Sequence, residues 1–477
     1  MKIYSTIITL LVLLVMTACS SDIDTGTADN GTETTVDIHL SARSESAAGR
    51  TTRASDVNAV DEEMMKNYVV IIAQGTAIKK ILTKENLSNV ESDAYTGVHL
   101  DEGTYTFYSF ANISLADLGL TSASTTLPAD FDSKTYAVNG NQTAISGFPN
   151  GIPMSNKQTL SVAKKASEVD LEVVRMVAKM TLRLTNVTDK AMTLNSITLS
   201  DITKNAADNT AADGSPVPNL YLLPQTATDA NGKEYCTPHL TTPFPSTADA
   251  SSYSGNNSYS LYGDYTINTS ATIPANNSAS PTEVTFYVNE SQAHDPANFE
   301  LTLNLTTTQS YGTTTNTANR YAVLNWTAIG RNDYRVIPIT LDDYKLTFTA
   351  QQFTAIGVLP PTFSDDGTTL DLGFSYYGDI HLVPKLSTWS GTAVPDDVSR
   401  SLIFADSPWT LVSGSNPEGF FATAPYWNST NKWVEGSIGF TEGTSAVYRL
   451  QATITKDDGT QETLSRNVRF KMTPKMP

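Results

Sequence analysis

Short runs of alternating apolar and polar residues, closed by clusters of Thr, Ser, Asn, Gly or Asp, follow one another along most of this chain. No segment carries the period of a long amphipathic helix. A period of two with frequent turn signals confines the chain to packed sheets. We therefore expect an all-β protein of tandem Greek-key (transthyretin- or immunoglobulin-like) β-sandwich domains with long loops. Its 477 residues are too many for one such unit, and a prior of about 150 residues per domain predicts roughly three. Hydrophobic content of 40% supplies cores, while charged content of only 17% leaves Thr, Ser and Asn to fill pleats and turns.

The formal net charge of −18 argues against nucleic acid as a partner, since phosphate binding needs clustered Lys and Arg. It argues equally against electrostatic docking on anionic lipid.

The first 18 residues read as an address. Lys2 gives the positive end, Ile3, Ile7, Ile8 and Leu10 to Met16 give a short apolar stretch, and Met16-Thr17-Ala18-Cys19 closes it. The stretch is too short to span a bilayer. A cysteine in that place resembles the bacterial lipobox, which implies lipidation of Cys19 and cleavage just before it. An ordinary signal peptide with a chance cysteine is the alternative. With Cys19 lipidated, Cys236 has no partner for a disulfide in the chain.

A polar tether follows Cys19. Val36-Asp37-Ile38-His39-Leu40-Ser41-Ala42 then alternates strictly and reads as one half-buried strand. Arg43 to Ala54 is polar, Asp61 to Met65 reads as a helical turn, and Tyr68 to Ala73 as a strand. Gly97 to Phe110 reads as a hairpin turning at Asp101-Glu102-Gly103. Val169 to Asn186 is the clearest strand signal. Its alternation breaks at Val174 to Lys179, as a bulge or a bend between domains would break it. Residues 201–280 read as loops. Strands resume at Pro281 to Val288, Phe299 to Thr306, Arg320 to Trp326 and Tyr334 to Leu341. Ile356 to Pro361 reads as a stiff linker, and the chain closes with a hairpin formed by Ala446 to Thr455 and Glu462 to Met472. The expected organisation is a signal peptide (1–18), a tether and prosegment with its strand (19–53), a first sandwich (54–185), a second (186–350) and a C-terminal β module (362–477).

Several of these pieces, in this order, resemble the fimbrillin superfamily of Bacteroidales-type (type V) pili, over about residues 1–345. They are the lipobox at Cys19, the strand Val36 to Ala42, the basic segment Arg50-Thr51-Thr52-Arg53-Ala54 and the acidic turn and strand Glu62 to Ala73. Leu171 to Met180, Thr285 to Glu290 and Arg331 to Val336 complete the set. The resemblance implies an exported lipoprotein cut by an Arg-specific protease, at Arg53 first and Arg50 second, so that the strand carrying Val36, Ile38, Leu40 and Ala42 is removed. A sandwich that loses an edge strand exposes apolar pockets and unpaired backbone groups, which a strand from another subunit can fill. Subunits joined in that way make a head-to-tail polymer at the cell surface. The alternative for the two arginines is an ordinary solvated loop.

The residues after the linker depart from a two-domain pilin and fit an accessory or tip subunit better than a shaft. The strand Asn467 to Met472 either donates to a neighbour or closes its own sandwich. A second functional reading keeps the lipid on Cys19, as a pilus anchor or a stand-alone adhesin binding a host glycan or protein. Four of five tryptophans, Trp389, Trp409, Trp427 and Trp433, fall in this region, with Tyr376, Tyr377 and Tyr426 nearby. Exposed aromatic faces stack on sugars or anchor proteins, whereas buried ones fill a core. Pro425-Tyr426-Trp427-Asn428 reads as loop, which selects Trp427, with Tyr426 and Trp433, as candidate ligand contacts.

Nothing points to catalysis. The motifs of metalloproteases, serine hydrolases and nucleotide-binding enzymes are missing, and the five histidines are scattered. Cys236 and His239 are too few for zinc. Asp342-Asp343, Asp365-Asp366-Gly367 and Asp457-Asp458-Gly459 lack calcium-loop spacing and read as turns. No metal or cofactor is expected.

Overall fold

The computed structural model describes residues 33–43, 59–88, 90–164, 167–232, 234–241, 261–293, 298–308, 315–351, 362–363, 369–374, 378–404, 410–412, 420–439, 445–456 and 459–472. Strands dominate them, and the two α-helices are single turns, α1 (Ala59–Glu63) and α2 (Asp396–Arg400).

The first unit contains β1 (Glu33–Ala42), β2 (Tyr68–Gln74), β3 (Ala77–Lys84), β4 (Ser92–Asp101), β5 (Gly103–Ala111), β6 (Thr135–Tyr136), β7 (Met154–Val162) and β8 (Ser167–Arg175). All but β6 form one path in the order β3-β2-β5-β7-β8-β1-β4. That path folds on itself where β7 and β8 pair through only two residue pairs, so the β8-β1-β4 part covers the β3-β2-β5-β7 part. The apolar run Tyr68 to Ala73 is buried throughout because β2 is covered on both faces. Tyr68, Val70 and Ile72 meet β1 across the sandwich. Val69, Ile71 and Ala73 lie under connecting segments and short elements of both the first and the second unit, including Leu118, Phe131, Leu220 and Leu222.

The Gly97 to Phe110 segment is not a hairpin. Its arms, β4 and β5, pair with different strands, β4 with β1 and β5 with β2 and β7. The turn at Asp101-Glu102-Gly103 therefore passes the chain from one sheet to the other.

The second unit contains β9 (Val177–Asn186), β10 (Met192–Thr203), β11 (Leu220–Tyr221), β12 (Gln225–Thr228), β13 (Glu234–Thr237), β14 (Tyr262–Ile273), β15 (Thr282–Asn289), β16 (Ser291–Gln292), β17 (Phe299–Thr308), β18 (Thr315–Leu324), β19 (Ala328–Ile329) and β20 (Tyr334–Leu341). Sheets β14-β10-β17-β18 and β15-β9-β20 close over one core that includes Met180, Leu182, Ile197, Phe286, Phe299 and Leu301. The long strand signal of Val169 to Asn186 is thus two strands in two units, and the break in its alternation marks the crossing at Met176. Strand pairing puts Val177 to Asn186 in the second sandwich, ahead of the boundary expected after residue 185. Strand β14, twelve residues long, lies inside the stretch expected to be loop.

The third unit contains β21 (Tyr344–Gln351), β22 (Thr362–Phe363), β23 (Thr369–Phe374), β24 (Gly378–Thr388), β25 (Ile403–Phe404), β26 (Thr410–Leu411), β27 (Phe421–Asn428), β28 (Trp433–Ile438), β29 (Ser445–Thr455) and β30 (Gln461–Met472). Sheet β21-β24-β28-β27 packs on β22-β23-β30-β29-β25, with β26 attached to β29. Leu346 and Phe348 of β21 belong to this core, so the third unit starts before the expected linker. Residues 356–361 lie outside the described residues. The buried pair Arg466–Asp189, at 2.9 Å, joins the third unit to the second.

Candidate functional site

Strand β1 carries the residues expected to be removable. Val36, Ile38 and Leu40 point into the sandwich, at 0%, 1% and 2% exposure, and Ala42 packs beside them at the rim. Alternation delivers all four to one face because a strand's side chains repeat every two residues. Burying each of the three larger side chains is worth roughly 1.5–3 kcal/mol.

Contrary to the expectation of an edge position, β1 is an interior strand. It pairs in parallel with β8 from Val36↔Ser167 to Ala42↔Val173, and antiparallel with β4 from Glu33↔Asp101 to Ser41↔Ser92. A bulge between Val36 and Ile38 is matched by Gly97, whose φ of 73° suits glycine and whose N–H donates to Asp37 Oδ1 at 2.9 Å. Local alternation identifies a strand, but it cannot say that β4 will take the outer flank. Cys19, Arg50 and Arg53 lie outside the described residues.

Strand β1 ends at a buried polar node that sequence reasoning did not assemble. Glu62, on α1, accepts from Arg175 Nη1 at 2.8 Å, Lys179 Nζ at 2.6 Å and Tyr287 Oη at 2.6 Å. Arg175 Nε donates to Asn332 Oδ1 at 2.7 Å, and Asn332 Nδ2 donates to the Arg43 carbonyl at 3.3 Å. Beside it, Arg331 is fully buried. Its guanidinium meets Glu290 Oε1 at 2.5 Å and donates to the carbonyls of Tyr221 and Leu222 at 2.8 and 3.1 Å. Bidentate contact to one carboxylate with further donation to carbonyls uses the planar fork that lysine lacks. Three segments that were separate in the sequence, around Arg175, Tyr287 and Arg331, therefore meet between the first two sandwiches. The signal was present in part, as charged residues inside otherwise apolar strands.

Cys236 lies near this node but is inert by environment. Burial pushes its thiol up to about 11, against the opposing pull of Arg331 and Arg43. We expect no reaction with a thiol reagent at pH 8 in the native protein and full reaction in denaturant, read by absorbance of the released thiolate. The His239 ring stacks on Tyr221 at 4.2 Å, and its Nδ1 lies 3.0 Å from the Leu223 carbonyl. Among the described residues no group of three or more His, Cys, Asp or Glu is placed to hold a metal. Asp342 anchors a turn, accepting from the Trp389 N–H at 3.0 Å and the Ser390 hydroxyl at 2.5 Å.

The aromatic candidates of the last unit separate. The segment Pro425-Tyr426-Trp427-Asn428 is strand, the end of β27, and not loop. Alternation turns Trp427 inward, where it stacks on Phe404 at 4.4 Å. Tyr426, 46% exposed, and Trp433 turn outward and converge on Glu435. Glu435 accepts from Tyr426 Oη at 2.6 Å, Trp433 Nε1 at 2.5 Å and Asn428 Nδ2 at 2.8 Å. Tyr376, Tyr377 and Trp409 lie outside the described residues.

These donors, Tyr426 first and Trp433 next, hold the Glu435 carboxyl down at about 2 against the opposing effect of burial. A depressed folded-state pKa contributes stability that is fully present above the unfolded value, about 4.3, and is lost as pH falls through about 2. The difference in melting temperature between the native protein and Glu435→Gln should therefore be constant from neutral pH down to about 5. It should shrink only below the ordinary carboxylate range.

No protein-family model matches the chain, and no curated protein matches it. Solved structures similar to it include a candidate cell adhesion protein of Parabacteroides distasonis, 12% identical, covering 67% of this chain and 89% of that one, with a TM-score of 0.37. The tip fimbrial protein of Porphyromonas gingivalis, with a C-terminal truncation, is 11% identical over 75% of this chain and 99% of its own, with a TM-score of 0.36. A fimbrilin of the same species is 12% identical over 66% and 89%, with a TM-score of 0.32. Similarity this low carries no argument of its own, and the fold described above rests on strand pairing and core composition.

Proposed function

We propose that this chain is a fimbrial subunit, exported as a lipoprotein through Cys19. An Arg-specific protease cuts it at Arg53 or Arg50, and a neighbouring subunit's strand takes the place of β1. One observation carries the reading: β1 fills the core of the first sandwich with Val36, Ile38 and Leu40. The segment that leads from it to the next described element, α1, is the polar stretch that holds both arginines. Its vacated slot offers two rows of backbone donors and acceptors and an apolar floor, the requirements for strand addition.

An accessory or tip position fits better than a shaft. Strand β30 lies between β23 and β29, with Val468 and Phe470 wholly buried, so it closes its own sandwich. Withdrawing it to serve a neighbour would open the third core. In this reading the subunit receives a strand at its first unit and lends none from β30.

N-terminal sequencing of protein taken from intact cell surface tests the proposal. A start at Ala54 or Thr51, together with a ladder of polymers in mild detergent, is the expected result. A lipid-blocked Cys19 in surface protein would overturn processing and leave the outer-membrane anchor or stand-alone adhesin.

A further inference from the structure

We propose that the outer face of the third unit, around Glu435, binds an uncharged glycan, with the rings of Trp433 and Tyr426 as its stacking surfaces. This site does not depend on how the chain is anchored or joined to other subunits.

Register places the residues. Across the sheet, His381 of β24 faces Glu435 of β28, which faces Tyr426 of β27. Trp433 stands two residues along β28 on the same face, opposite Asn428. Ile380, Leu382, Val434 and Ile438 alternate with them and fill the core behind. The core thus has its own apolar residues, and the outward aromatics are additional to it.

The rings are held in place before any ligand arrives. The Tyr426 hydroxyl, the Trp433 indole N–H and the Asn428 and Asn431 amides all donate to one carboxylate. The hairpin beneath is fixed by Asn428 Oδ1, which accepts from the N–H groups of Thr430 and Asn431, and by Lys432 in a left-handed conformation. The His381 ring leans on Trp433 with centroids 4.9 Å apart. Pre-ordered aromatics lose little freedom on binding, which favours weak stacking ligands.

The chemistry selects the ligand. An aromatic face stacks on the apolar C–H face of a pyranose, while the polar rim of His381, Asn428 and Asp379 suits ring hydroxyls. Glu435 carries negative charge and the exposed Asp379 stands near Tyr426, whereas Lys432 lies out on the turn. The sheet face therefore disfavours sialylated or sulfated sugars.

The test uses the intact exported protein on immobilised neutral oligosaccharides ending in galactose, glucose, mannose, fucose or N-acetylhexosamine, beside sialylated and sulfated counterparts. We expect retention on at least one neutral glycan. Trp433→Ala and Tyr426→Ala should each weaken it about tenfold or more. Trp433→Phe, which keeps a ring in place, should stay within a few-fold, and Trp389→Phe should be unchanged. Circular dichroism confirms that each variant is folded. Retention only on anionic glycans, retention indifferent to Trp433→Ala and Tyr426→Ala, or no retention on any neutral glycan would overturn the proposal. Polymer formation is read separately by gel, so failure here leaves the subunit reading intact.

Discussion

Glu62→Ala is expected to lower the unfolding free energy by about 3–5 kcal/mol, because the residue is buried beneath paired cations. The reason is asymmetric. The substitution removes one carboxylate from beneath two buried cations, Arg175 and Lys179, and from the Tyr287 hydroxyl. Arg175 keeps Asn332 and Lys179 keeps the ring of Tyr334, so the site does not lose all its contacts. What it loses is the opposing charge in a place closed to water, where desolvation is not recovered. Because Glu62 ties α1 to strands of both sandwiches, the loss should reach the cooperative unfolding of the pair. Urea unfolding followed by tryptophan fluorescence gives the measurement. A change within about 0.5 kcal/mol, the range of ordinary surface substitutions, would mean that the node is dispensable.

Leu40→Ala is expected to destabilise the uncut chain by about 2–5 kcal/mol, and Ile38→Asn by at least as much, since it also brings an amide into an apolar core. Both side chains are buried against β2 and β5. In the subunit from which β1 has been removed, the same substitutions should have no effect, because the residues are no longer there. Comparing unfolding midpoints of the uncut chain with those of assembled polymer, in which an incoming strand has replaced β1, separates the cases. Equal destabilisation of both forms would show that β1 stays in the working subunit, and the strand-replacement reading would fall.

Much of the fold was legible where burial imposes a simple period. Strict alternation marked β1, and six apolar residues in a row marked β2, though not that connecting segments and short elements of the second unit cover its outer face. The broken alternation after Val174 marked the passage between units. Strand β14 was hidden because its buried apolar anchors, such as Tyr262, Ile267 and Ile273, are widely spaced among Thr, Asn and Ser. Asp101-Glu102-Gly103 has the local chemistry of a hairpin turn, but which strand an arm pairs with is a long-range matter. Pairing likewise assigned β21 to the third unit. The polar node was out of reach for the same reason: Glu62 is 113 residues from Arg175 and 225 from Tyr287. At the aromatic site, Tyr426 and Trp433 were legible as types. Their sorting from Trp427 required knowing that the segment is a strand.

The double flank of β1 has a consequence for timing. A protease that hydrolyses a bond at Arg50 or Arg53 breaks no ladder hydrogen bond of β1 and uncovers none of Val36, Ile38 or Leu40. The severed segment is then a bound peptide rather than a departed one. Among the described residues β4 has no other ladder partner, so simple escape of β1 would strand a second element as well. The low-barrier route is exchange, in which an incoming strand takes over the pairing residue by residue as the old one peels away. Cutting would then license assembly without setting its rate, and the pace of growth would be governed by the arrival of the next subunit.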